Sequence, residues 1–469
     1  MAPMTRILAA SIAIALALPA AAQDREVPAS AAQVKLSYAP VVATVSPAVV
    51  NVYASRVVQQ RPRGFPFDDP IFREFFGNAP MAAPRERVQR SLGSGVIVTE
   101  DGTVVTNNHV IAGATQIRVA LADRREFEAE VVITDERADL AVLKILDGPG
   151  KFPIVGLSDA DDVAVGDLVL AVGNPYGLGQ TVTSGIVSAM RRVELRSNDQ
   201  RVYIQTDAAI NQGNSGGALV DMEGHLVGIN TAIFSRSGGS DGIGFAVPVN
   251  VVRLVVDAAL SGADRVRRPW LGATLQTVTS DIAAGLGLDA PSGALVSDIF
   301  EGGPADRAGL RPGDIVVGVG ETAVESMEDF GYRFGTRTIG GEIAFAVMRD
   351  GRRLELAVPV ELAPETPARD RRLIDGNGPL TGATVMNLSP AVAEELGFDG
   401  PPAGVIVAEA PRGSVAARVG LRPGDRVRAL NGQEIDTTAT LEAANARRER
   451  VWELTIQRGD QVLTQQFRG

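Results

Sequence analysis

Apolar positions in this chain come in short runs. Between Gly95 and about Val255, β-branched clusters at Val96–Val98, Val104–Val105, Ile117–Ala120, Leu140–Ile145, Leu168–Val172 and Leu226–Ile229 are separated by closely spaced turn residues, the pattern of an all-β barrel or sandwich. Val49–Tyr53 reads as a further strand and Leu36–Pro47 as a short helix. The pattern breaks over Gln59–Arg90, rich in Pro, Arg and Phe, where Phe65, Phe67, Phe72, Phe75 and Phe76 supply a third of the chain's 15 Phe. That composition predicts a long loop with its own aromatic cluster. At the start, Arg6 precedes an apolar run from Ile7 to Leu18, then Pro19-Ala20-Ala21-Ala22 and the polar Gln23-Asp24-Arg25. This predicts a secretory signal peptide, residues 1–22, cleaved near Ala22. The apolar run falls short of the ~20 residues that a spanning helix requires.

The second half repeats itself. Ala308-Gly309-Leu310-Arg311-Pro312-Gly313-Asp314 returns as Val419-Gly420-Leu421-Arg422-Pro423-Gly424-Asp425, and Leu271-Gly272-Ala273-Thr274 is echoed by Thr381-Gly382-Ala383-Thr384. The two offsets differ by a single residue, so these are two copies of one module, at residues 266–360 and 379–469. Glu361–Gly378, poor in apolar residues, is a linker by composition. The boundary with the preceding β-rich unit, residues 23–262, falls near Ser261–Arg268.

Composition narrows the chemistry. A length of 469 residues suits about three domains. Abundant Gly (51) with 5% aromatics favours strands and tight turns. The absence of Cys excludes disulfides, thiolate metal sites and cysteine nucleophiles, and with only two His no protein-built metal site is expected. Any catalytic His must be His109 or His225. The net charge is −11 with both signs dispersed and no long basic block, so nucleic acid is a poor partner.

Asn211-Gln212-Gly213-Asn214-Ser215-Gly216-Gly217 sets a Ser among small residues that free the backbone to present N–H groups, as an oxyanion hole requires. The stretch also satisfies the G-x-S-x-G elbow of α/β-hydrolases, so the motif alone leaves both readings open. Chain order separates them. An elbow needs its base downstream, where the candidate is His225, in the hairpin-like Asp221–Leu226, which reads as a surface residue. Upstream, Thr106-Asn107-Asn108-His109-Val110 ends a strand, and Arg137-Ala138-Asp139-Leu140 puts a carboxylate at the start of a buried-looking run. The order His, Asp, Ser is that of chymotrypsin-type barrels. Ser94, in Gly93-Ser94-Gly95, reads as a turn residue.

These motifs, with Gly242-Ile243-Gly244-Phe245-Ala246-Val247-Pro248, resemble the signatures of the HtrA (Do/Deg) family of periplasmic serine proteases, and the repeated modules resemble that family's two PDZ domains. The resemblance implies a mainly β chain: a chymotrypsin-like double β-barrel protease domain followed by two PDZ domains. It implies a cofactor-free serine endopeptidase in the periplasm that degrades unfolded or damaged proteins. Ser215 would be the nucleophile, His109 the proton carrier and Asp139 its orienting partner, with the N–H groups of Gly213 and Ser215 as oxyanion hole. Ala209, Ile210 and Ile243 would line an uncharged pocket suited to Val, Ala or Ile. Asn214 stands where related zymogens use an Asp to capture a new amino terminus, so activation by cleavage is not expected. Trp270-Leu271-Gly272-Ala273 resembles a loop that holds peptide carboxylates, so C-terminal apolar peptides are expected partners. Leu380-Thr381-Gly382-Ala383 departs from that pattern at Thr381, which leaves peptide capture or subunit contact open for the second module. Phe72–Gly77 resembles the loop that reaches towards a neighbouring protomer and implies a homotrimer or a larger cage; packing onto its own barrel is the alternative. A different class of function, a chaperone or adaptor that holds misfolded chains without cutting them, fits the modules but not the intact Ser, His and Asp.

Overall fold

The computed structural model describes residues 37–60, 85–148, 150–158, 163–174, 179–194, 200–211, 213–233, 242–286, 290–398, 402–459 and 461–468. The expected signal peptide and the Phe65–Phe76 cluster lie outside the described residues. The β-rich unit forms two closed six-stranded barrels, which resolves the choice between barrel and sandwich. The first contains β1 (Val49–Gln60), β2 (Arg85–Ile97), β3 (Thr103–Asn107), β4 (Gln116–Ala120), β5 (Glu126–Asp135) and β6 (Leu140–Ile145), in the order β1-β2-β3-β6-β5-β4. The second contains β7 (Leu168–Gly173), β8 (Thr181–Glu194), β9 (Gln200–Thr206), β10 (Ala218–Val220), β11 (Leu226–Ile233) and β12 (Gly244–Pro248), in the order β10-β11-β12-β9-β8-β7. Closure leaves no open sheet edge, and the β-branched side chains fill both interiors. Val104, Val142, Leu143, Leu170, Ile204, Leu219 and Ile229 are fully buried.

The short helix expected over Leu36–Pro47 forms at Ala39–Val45, just before β1, and two further helices frame this unit. Helix α1 (Asn108–Ile111) continues directly from β3, and α2 (Val249–Leu260) follows β12. Helix α2 buries Val249, Val252, Val255, Val256 and Ala259, a single helical face set against the barrels.

Two expectations change here. Gln59–Arg90 is not loop throughout, because β1 and β2 pair as hairpin arms out to Gln60 opposite Arg85. Ser94 is not a turn residue: it lies inside β2, fully buried.

Each repeat builds a sheet. The first is β13 (Ala273–Thr277), β14 (Ala294–Ile299), β15 (Ile315–Val319), β16 (Thr322–Ala323), β17 (Glu342–Arg349) and β18 (Arg352–Pro359), with β13 at one end of the order β13-β14-β15-β17-β18. The second is β19 (Arg372–Leu373), β20 (Thr384–Asn387), β21 (Val405–Glu409), β22 (Arg426–Leu430), β23 (Gln433–Glu434), β24 (Val451–Arg458) and β25 (Gln461–Arg468). Helix α3 (Met327–Gly335) belongs to the first sheet and α4 (Thr438–Asn445) to the second, each capped at its start by a hydroxyl, from Ser326 and Thr437.

The shared Leu-Arg-Pro-Gly-Asp segment is a structural clamp in both copies. Asp314, 1% exposed, accepts from the Arg311 amide at 2.7 Å and from Arg349 at 2.6 Å. Asp425 repeats this with the Arg422 amide at 2.8 Å and Arg458 at 2.6 Å. A buried carboxylate needs such partners, which is why the segment recurs almost unchanged.

Candidate active site

His109 and Asp139 sit on neighbouring strand ends. Strands β3 and β6 pair with Asn107 opposite Leu140, so α1 leaves the barrel beside the residue that precedes β6. Asp139 holds a left-handed backbone at φ 55°. Its carbonyl accepts from the Asn108 amide at 3.1 Å and the Asn107 side chain at 3.0 Å, bonds that stabilise a conformation non-glycine residues seldom adopt. The carboxylate is thereby aimed at His109: Oδ1 accepts from the His109 amide at 3.0 Å and Oδ2 lies 2.7 Å from Nδ1. A carboxylate can only accept, so Nδ1 carries the proton and the lone pair of Nε2 is left for a hydroxyl. Burial alone would lift the Asp139 carboxyl. The bonds from His109 and Thr231 outweigh burial and hold it below the ordinary carboxylate value.

Thr231, on β11, joins the two barrels at this point. Its hydroxyl donates to Asp139 Oδ2 at 2.9 Å, and its carbonyl accepts from Ser215 Oγ at 3.0 Å. Ser215 lies in the turn before β10, where Gly213 has φ 100° and Gly216 φ 84°. A side chain on Gly216 would meet the Ser94 carbonyl at 2.1 Å. Glycine is therefore required there by space as well as by conformation.

Ser94 reaches the same turn from the first barrel. Its amide donates to the Ser215 carbonyl at 2.8 Å, and its hydroxyl donates to the Gly213 carbonyl at 2.7 Å while accepting from the Asn174 amide at 2.9 Å. Asn214 is buried beside it, and its side-chain oxygen would clash with any Cβ on Gly173.

The structure thus brings His109 into contact with Asp139 and links Ser215 to Asp139 through Thr231. It keeps His225 apart, in an exposed turn with Asp221 and Glu223 at 3.7 and 3.5 Å. In the expected pocket, Ile210 is fully buried and its side chain occupies the space above Gly244, 2.7 Å from where a Cβ would stand. Ala209 and Ile243 are half-buried.

Comparison with known proteins supplies the family. A trypsin-like peptidase domain matches residues 93–229, and PDZ domains match residues 269–360 and 406–458. A periplasmic serine endoprotease, DegP-like, from Ectopseudomonas mendocina is 41% identical over 415 residues, spanning 84% of this chain and 85% of that protein. The chain belongs to the HtrA family. The DegP-like protein of Chlamydia trachomatis is 37% identical over 422 residues, covering 88% of this chain and 82% of its own length. Among solved structures, the HtrA-type protease AlgW with decapeptide is similar with a TM-score of 0.51 at 43% identity, covering 70% of this chain and 99% of that one. This HtrA chain is therefore a serine endoprotease with two PDZ domains.

Three contributors to the candidate site escape sequence reasoning. Thr231 lies 16 residues beyond Ser215 in an ordinary strand, with no local signal. Ser94 carries one weak signal, a polar residue between two glycines at the head of an apolar run. Asp135, 6% exposed, accepts from the amides of Arg137 and Ala138 at 3.1 and 3.3 Å, and Arg268, next to the first PDZ domain, bonds its other oxygen. It thereby fixes the turn that carries Asp139.

Proposed function

We propose that Ser215 attacks the scissile carbonyl, that His109 takes its proton and returns it to the leaving amine, and that Asp139 orients the ring and stabilises its charged form. The amides of Gly213 and Ser215 hold the oxyanion of the tetrahedral intermediate. The observation that carries this reading is the 2.7 Å contact of His109 Nδ1 with Asp139 Oδ2, joined to Ser215 through Thr231.

The substrates are unfolded or damaged polypeptides, cut after small aliphatic residues. The support is a pocket wall of Ala209, Ile210 and Ile243 that offers no charge to pair with Lys or Arg. The domains run 23–262, 266–360 and 379–469, after a signal peptide over 1–22 that delivers the protein to the periplasm, the compartment in the names of its relatives. The first PDZ loop, Trp270-Leu271-Gly272-Ala273, captures C-terminal apolar peptides. Gly272 has φ 70°, and its carbonyl and that of Leu271 are taken by the amides of Phe300 and Ala305 at 2.8 and 2.9 Å. Those bonds hold the loop as a preformed turn. The aromatic segment Phe72–Gly77 assembles the protomers as a trimer or a cage of trimers.

The test is digestion of casein by the mature chain beside its Ser215→Ala variant, with product ends mapped by mass spectrometry. Loss of the nucleophile costs about a millionfold in rate. Cleavage after Val, Ala or Ile by the parent alone is expected; cutting by the variant, or cleavage after Lys or Arg, would overturn the assignment.

A further inference from the structure

The two PDZ domains differ at the edge where a peptide would add. In the first, β13 ends the sheet, directly after the loop Trp270–Ala273. In the second, the equivalent strand β20 is covered by β19, antiparallel, with Arg372 opposite Val385 and Leu373 opposite Thr384. The stretch expected to be a plain linker, Glu361–Gly378, supplies this strand.

The covering segment runs in the sense of a bound peptide, towards the loop Leu380-Thr381-Gly382-Ala383. The Asn387 amide donates to the Arg369 carbonyl at 2.7 Å, the Ile374 amide to the Ala383 carbonyl at 2.8 Å, and the Gly382 amide to the Ile374 carbonyl at 2.8 Å. In this last bond the Ile374 carbonyl stands where the terminal carboxylate of a peptide would be held. The Ile374 side chain is fully buried with Leu380, Ala383, Leu441 and Ala444, as an apolar terminal residue would be. Arg372 pairs with Glu442 on α4 at 2.5 Å and with Asp370 at 2.8 Å, and Asp370 in turn accepts from Thr438 at the start of α4. Asn445, at the end of α4, bonds the Leu380 amide at 3.0 Å and the Asp375 carbonyl at 3.1 Å, locking the loop that follows Ile374.

We propose that residues 372–374 are a built-in ligand that fills the peptide groove of the second PDZ domain. The inference rests on reading residues 380–383 as a carboxylate-binding loop. Backbone pairing, an apolar anchor and a charged contact two residues before it are the means by which a sheet edge recognises a peptide, and here all three are met internally. Because the segment is tethered to the loop itself, it competes at an effective concentration that a free peptide does not reach. Capture of external C-termini thus falls to the first domain.

Hydrogen exchange of the full-length Ser215→Ala chain tests this, alone and with a synthetic copy of residues 367–374 bearing a free carboxylate. Without the probe, exchange over 382–387 is expected to be slower than over 273–277 by more than about tenfold. The probe is expected to protect 273–277 and leave 382–387 unchanged. Arg372→Glu, at a partly exposed side chain, should speed exchange over 382–387 and let the probe protect it. Fast exchange over 382–387 in the probe-free parent, or its protection by the probe there, overturns the proposal. If the probe protects neither edge, the peptide-capture reading of the first domain fails, while slow probe-free exchange still upholds the filled groove. If Arg372→Glu also loosens β22 and β24, the domain has unfolded, and the parent profile alone decides.

Discussion

The hydroxyl of Ser94 donates to the carbonyl of Gly213 at 2.7 Å, across 119 residues of sequence. It ties the first barrel to the turn that carries Ser215, on the peptide next to the expected oxyanion donor. Ser94→Ala strands two groups on buried residues, the Gly213 carbonyl and the Asn174 amide, at about 1–3 kcal/mol of lost stability each. The turn is then free to shift, so peptide kcat should fall about tenfold or more while KM changes little. Steady-state kinetics with thermal unfolding of the same variant checks both.

Thr231 should matter to rate rather than to binding. Thr231→Val removes the hydroxyl bonded to Asp139 at 2.9 Å but keeps the shape and the carbonyl bonded by Ser215. A hydrogen bond to a charged group contributes about 1.5–3 kcal/mol, so kcat should drop about tenfold to a hundredfold. Unchanged kcat would show that His109 alone positions the carboxylate.

Arg268 acts on the same site from further away, through Asp135. Arg268→Ala leaves the Asp135 carboxylate, 6% exposed, without its charged partner, and breaking such a buried pair costs about 3–5 kcal/mol. The Arg137–Ala138 turn before Asp139 should loosen as well. A lower unfolding temperature with a reduced kcat is expected, and the double variant Asp135→Asn, Arg268→Ala should recover part of the stability.

The depressed pKa of Asp139 sets a stability dependence on pH. Burial pushes it up but the bonds from His109 and Thr231 pull it further down, so the folded chain holds this proton less tightly than the unfolded one. The group therefore stabilises the fold above the unfolded carboxylate value of about 3.9, and that contribution is lost as pH falls through the lower folded value. The stability advantage of the parent over Asp139→Asn should be full at neutral pH and fade below about pH 4. In the same variant kcat should fall by about 10⁴ at neutral pH, because the amide favours the wrong ring tautomer.

What could be read from the sequence was local. Short β-branched runs separated by turns favour strands, and the exception, the Val-rich run of α2, places its apolar residues on one helical face. The recurrence of Leu-Arg-Pro-Gly-Asp marked two copies of a module, and the chain order of His109, Asp139 and Ser215 separated a barrel protease from an α/β-hydrolase without any knowledge of distance. The rest depended on which segments become neighbours. Barrel closure places β3 beside β6 and thereby His109 beside Asp139; the seam between the barrels makes Thr231 and Ser94 part of the site and turns an apparent turn serine into a buried strut. Likewise Arg372-Leu373-Ile374 has linker composition, and only pairing with the edge of β20, with a buried place for Ile374 beyond it, makes Arg372–Leu373 a strand. Hydrogen-bond partners far apart in the chain leave little trace in local composition, because either partner alone is compatible with many other surroundings.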